Sequence, residues 1–94
     1  MKIQSITILG RRWFQRSYGN TYFTADILVN GAQVGHLDRQ YGYGDHYVDM
    51  ATEWLEENGY IKRDSEHQPL WQLRDRDGFN LVCRATDVER QKDL

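Results

Sequence analysis

The chain has 94 residues, 39% of them hydrophobic and 28% charged, with one cysteine and a formal net charge of −2. That length builds one domain, residues 1–94, which buries roughly 60–65% of the surface of its unfolded chain, and the composition excludes a disulfide scaffold and a disordered polyelectrolyte. The longest aliphatic run, Ile27-Leu28-Val29, is too short for a secretion signal or a membrane span, so the expectation is a cytoplasmic protein with no membrane partner.

Residues 2–14 carry Ile3, Ile6, Ile8, Leu9, Trp13 and Phe14 beside β-branched Thr7 and predict a first strand, ending at the turn-forming Ser17-Tyr18-Gly19-Asn20. Residues 21–29 alternate, with Phe23, Ala25, Ile27 and Val29 on one face and Tyr22, Thr24, Asp26 and Leu28 on the other. Asn30-Gly31 then predicts a two-residue hairpin. A third strand over residues 32–37 returns beside the second, setting Val29 opposite Ala32 and Ile27 opposite Val34.

Gln40-Tyr41-Gly42-Tyr43-Gly44 reads as a connection, and Asp45 as an N-cap whose carboxylate accepts the free amides of a helix. In that helix Tyr47, Val48, Ala51, Trp54 and Leu55 fall on one stripe, and Gly59 supplies the left-handed stop, with Tyr60 and Ile61 folding back on the last turn. Residues 62–69 form a polar loop ending at the only proline. Residues 70–74 and 79–86 are expected to flank Asp75-Arg76-Asp77-Gly78 as a second hairpin, and residues 87–94 to fray. The expected class is α+β: an antiparallel sheet in the order β-β-β-α-β-β, with one amphipathic helix covering one face.

Charge is sorted unevenly. Residues 1–39 carry a net +3 and residues 62–94 balance to zero, while residues 40–61 hold five carboxylates and no Lys or Arg. Asp49, Glu53, Glu56 and Glu57 stand away from the apolar stripe, and ordinary surface helices relieve such repulsion, a few tenths of a kcal/mol per pair, with i+4 cations. These four acids are therefore the expected partner-binding residues, a negative face suited to a basic groove.

The pattern offers little chemistry. His36, His46 and His67 with the lone Cys83 have no metal-ligand spacing, so no metal is expected. Gly42-Tyr43-Gly44-Asp45-His46-Tyr47 has Tyr47 where a dinucleotide fingerprint needs a small residue and Asp45 where the phosphate belongs, so no cofactor is expected. His46 and Asp49 stand at i,i+3 on the outward side of the helix, where nothing desolvates them, and Cys83 is expected to face inward as a small apolar side chain. No catalytic residue is assigned. The alternative to protein docking is nucleic-acid binding by Arg11, Arg12 and Arg16 beside Tyr18 and Tyr22, with Trp13 and Phe14 read as core. Free sheet edges leave a homodimer open.

Gly10-Arg11-Arg12-Trp13-Phe14-Gln15, Tyr18-Gly19-Asn20-Thr21-Tyr22, Asn30-Gly31 and Gln40-Tyr41-Gly42-Tyr43-Gly44-Asp45 together resemble, over residues 3–60, a set of small bacteriophage and prophage proteins. The resemblance implies a genomic setting in which short accessory proteins bind host machinery, defence complexes included, and it brings no activity with it. The combined expectation is a non-enzymatic binding protein that docks on a host protein or ribonucleoprotein, in the manner of an anti-CRISPR inhibitor.

Overall fold

A computed structural model describes residues 2–94, which form strands β1 (Ser5–Gln15), β2 (Asn20–Val29) and β3 (Ala32–Tyr41), helices α1 (His46–Glu57) and α2 (Leu70–Asp77), and strand β4 (Asn80–Val88). A short 3-10 turn, Gln91–Asp93, follows β4. The class is α+β, with four strands in the order β3-β2-β1-β4. β1, β2 and β3 form an antiparallel meander and β4 pairs parallel to β1. Both helices contribute to the core on one face of the sheet, and the molecule is 19 Å in its shortest dimension, the thickness of one sheet and one helix layer.

The Asn30-Gly31 turn has φ of 52° and 82°, the positive pair that a tight hairpin demands. Asn30 also ties the start of β1, since its Oδ1 accepts the Gln4 and Ser5 amides at 2.6 and 3.1 Å. Val29 stands opposite Ala32 as the turn length requires, but a bulge at Val34 places Ile27 opposite Gly35 instead of Val34. β3 also runs on through Gln40 and Tyr41, so the expected connection shrinks to residues 42–45.

The covered face carries Ile6 and Ile8 of β1, Phe23, Ala25, Ile27 and Val29 of β2 and Leu37 of β3, all buried. Tyr47, Ala51 and Leu55 of α1 pack onto it, and two glycines make this possible. A Cβ on Gly10 would stand 2.8 Å from the Tyr47 ring, and one on Gly35 would stand 2.4 Å from Trp54. α1 ends as predicted: the Tyr60 amide donates to the Leu55 carbonyl at 2.9 Å and Gly59 to Glu56 at 3.1 Å, with Gly59 at φ 80°. Tyr60 folds back to stack on Trp54, ring centroids 5.9 Å apart.

The second hairpin is not formed. Residues 70–77 are helical because Leu70 and Leu73, three apart, reach the core together, whereas an extended chain would turn them to opposite faces. Gly78, expected in a hairpin turn, is instead the left-handed helix stop at φ 78°, its amide donating to Arg74 at 2.7 Å. The helical crossover carries the chain from β3 past β2 and β1 to the far edge, so β4 arrives parallel to β1 and the sheet is mixed instead of wholly antiparallel. β4 takes in Asp87 and Val88, which were expected to belong to the fraying tail.

Candidate functional site

Two surfaces of opposite character stand on the two sides of the slab. On the helical side, Asp49, Glu53 and Glu57 of α1 are exposed, as the stripe of Tyr47, Ala51 and Leu55 dictates. Glu56 departs from the expected free ridge, because the loop after α1 folds back and puts Arg63 beside it. The Arg63 amide donates to Glu56 Oε2 at 3.0 Å and its guanidinium to Oε1 at 2.9 Å, while Nη1 donates to the Glu66 carbonyl at 2.8 Å. The Arg63 side chain is only 9% exposed, so it serves as a staple for the loop more than as a surface charge. Around the same shallow depression lie Glu53, Glu57, Glu66 and His67, which keep the surface acidic.

The Arg63 hydrogen bonds hold the Glu56 carboxyl below its ordinary range. A lowered folded pKa stabilises the protein above the unfolded Glu value, about 4.3, and this contribution disappears as pH falls through the folded value. Asp77, hydrogen-bonded by Arg76, shifts the same way. Glu56→Gln is therefore expected to melt below the parent at neutral pH, with the gap closing as the pH is lowered past 4; a gap independent of pH would show that the pair contributes no proton-linked stability.

Asp45 begins α1 without the side-chain cap its position suggested. Its φ and ψ, −95° and 15°, lie outside the extended region from which an N-cap carboxylate reaches the first amides. His46 stands 3.9 Å from Asp49, but its ring turns an edge to Phe23 at 5.8 Å, so it belongs partly to the packing instead of lying wholly on the outward side. Burial pushes the Cys83 thiol up to about 11, which leaves little thiolate at neutral pH. Among the described residues no three His, Cys, Asp or Glu side chains converge as metal ligands, and no helix is long and apolar enough to cross a membrane.

Among the described residues, the other side of the sheet carries no helix. Strand alternation and register place Tyr41, Tyr22, Trp13 and Val88 in one row across it, then Thr24, Arg11 and Thr86, then His36, Asp26, Leu9 and Arg84. A second bulge sets both Asp38 and Arg39 opposite Thr24, and Arg39 lies over the Tyr22 ring at 5.9 Å. Trp13 and Tyr22 stand 5.9 Å apart with rings within 26° of parallel. Phe14 is 55% exposed, so the reading of Trp13 and Phe14 as core does not hold; aliphatic residues with Phe23, Tyr47 and Phe79 fill it instead.

Of the three arginines expected to form one nucleic-acid site, only Arg11 lies on this open face. Arg12, one residue on, points to the covered side, where it donates to Asp87 at 2.9 Å and to the Gly44 carbonyl at 3.1 Å. Arg16, in the turn after β1, borders the Trp13 end. The sequence reading missed Arg39 and Arg84, which come from β3 and β4; the bulge that turns Arg39 outward and the parallel placement of β4 have no local signature. Comparison with family models, curated proteins and solved structures gave no match for this chain.

Proposed function

We propose that the protein is a non-enzymatic binding protein that docks through α1 on a basic surface of a host protein or ribonucleoprotein. A phage-encoded inhibitor of a bacterial defence system, of the anti-CRISPR kind, is the specific form that the sequence resemblance favours. The observation that carries the reading is that Asp49, Glu53 and Glu57 stand on the outward face of α1 with no Lys or Arg in the helix, and that Arg63 takes up Glu56 alone. Such a face gives electrostatic steering and selects against acidic partners. Surface electrostatics of this kind weakens with salt, so the complex should loosen as ionic strength rises.

The test is capture from the bacterial host, with the parent chain and with Glu53→Lys combined with Glu57→Lys. Both positions are exposed and neither holds the fold, so the doubly reversed chain should fold normally and bind the captured partner about tenfold more weakly or worse. Unchanged affinity would remove α1 from the interface. Expression in a host with active CRISPR interference tests the narrower form, since restored plating of a targeted phage is the expected result and undiminished interference would sink it.

A further inference from the structure

We propose that the open face of the sheet, opposite α1, is a platform for single-stranded nucleic acid. This is independent of the docking of α1 on a protein, because it uses other residues on the other side of the slab. Four observations converge there. The face carries Arg11, Arg39 and Arg84, and among the described residues Arg39 and Arg84 make no salt bridge, while Arg11 shares Asp26 only at 3.7 Å. Asp26, hydrogen-bonded by His36 at 2.7 Å and by Gln33 at 3.1 Å, and Asp38, 3.7 Å from His36, offset part of that charge, and the arginines keep the excess.

Next to the arginines, Trp13, Tyr22 and Tyr41 cross three adjacent strands as one aromatic row; Tyr22 is covered by Trp13 and Arg39, and Tyr41, 57% exposed, is the ring most open to a base. Rings beside guanidinium groups are the combination that binds an unpaired strand: bases stack on the rings while arginines meet the phosphates. A flat face has nothing to enter a duplex groove, and paired bases offer no free π-face, so the surface fits a single strand and not a double helix. Leu9 and Val82, 40% and 42% exposed, add apolar area on which sugars and base edges can rest. At the centre the Thr24 hydroxyl, on a residue 5% exposed, makes no hydrogen bond to another protein group among the described residues.

Fluorescence anisotropy with labelled oligo-dT and oligo-U of roughly 12 nucleotides, and with a duplex of the same length, decides the matter. The expected result is saturable binding of at least one single strand below about 50 µM in low salt, with a log–log salt slope near −2, the value for three phosphate contacts. Tyr41→Ala should weaken it at least fivefold or so, the loss of one stacked base. Arg39→Gln with Arg84→Gln should flatten the slope by roughly 1.4, whereas Lys62→Gln, on the helical side, should leave it unchanged. Circular dichroism establishes that each variant is folded. No binding of either single strand, equal binding of the duplex, or a salt slope indifferent to the two arginine changes would each overturn the proposal. So would self-association abolished by Tyr41→Ala, which would give the face to a second copy.

Discussion

Leu73→Ala is expected to destabilise the protein by about 2–5 kcal/mol, a large part of the roughly 5–15 kcal/mol available to a domain of this size. Leu73 is fully buried and Leu70 nearly so, and α2 has little else to hold it, since the rest of its sequence is Trp71, Gln72 and the charged residues 74–77. Removing three carbons from Leu73 leaves a void between helix and sheet that the rigid strand layer cannot fill. Trp71→Ala, by contrast, should change stability by under about 1 kcal/mol, because that ring is 51% exposed. The pair discriminates between helix and strand, since an extended segment would carry Trp71 and Leu73 on the same face. Urea denaturation of both variants reads the outcome, and equal losses at the two positions would contradict the helical packing.

Gly10→Val should lower stability by about 1–3 kcal/mol although valine is among the best strand formers and Gly10 sits in the middle of β1. The Tyr47 ring occupies the space above that glycine, with Cδ2 at 2.8 Å and Cγ at 3.0 Å from where a Cβ would stand. Tyr47 is itself buried, and its phenol pKa is raised chiefly by that burial, so the ring has no solvent-side position to move into. A double-mutant cycle with Tyr47→Ala isolates the contact: the cost of Gly10→Val should largely vanish when the ring is absent. If the cost is the same in both backgrounds, the clash is not its cause. For a domain of about this size each kcal/mol moves Tm by roughly 4–8 °C, so thermal melts resolve the effect.

Both surfaces proposed to bind partners follow from the same segregation. Because α1 and α2 cover one side of the sheet, acids outside the stripe of α1 can point only away from it, and residues of the other strand parity can point only to the opposite side. A partner on one surface leaves the other free. The polar, partly aromatic character of the uncovered side is what an antiparallel meander tolerates in water and a doubly covered parallel sheet does not.

Local chemistry was enough for the first two strands, the start of the third, the Asn30-Gly31 hairpin, α1 and its Gly59 stop, because each depends on neighbours within a few residues: alternation, a positive-φ pair, a 3.6-residue stripe. Residues 70–78 misled for the same reason. Two leucines in a short charged segment fit a strand or a helix equally well, and Gly78 after an aspartate serves a hairpin turn or a helix stop. Only packing against the finished sheet, where Leu70 and Leu73 are buried together, favours the helix.

The sequence by itself determined which residues of β2 and α1 face inward, since periodicity and turn residues fix that locally, and that Asp49, Glu53 and Glu57 of α1 face out. Tertiary structure decided the rest: that Arg63 returns across the loop to hold Glu56, that Arg12 is drawn under the sheet to Asp87 while Arg11 stays on the open side, and that β4 joins β1 in parallel and brings Arg84 beside Arg11. Those contacts join residues far apart along the chain, and their energies depend on where the crossover lands, which no window of neighbouring residues encodes.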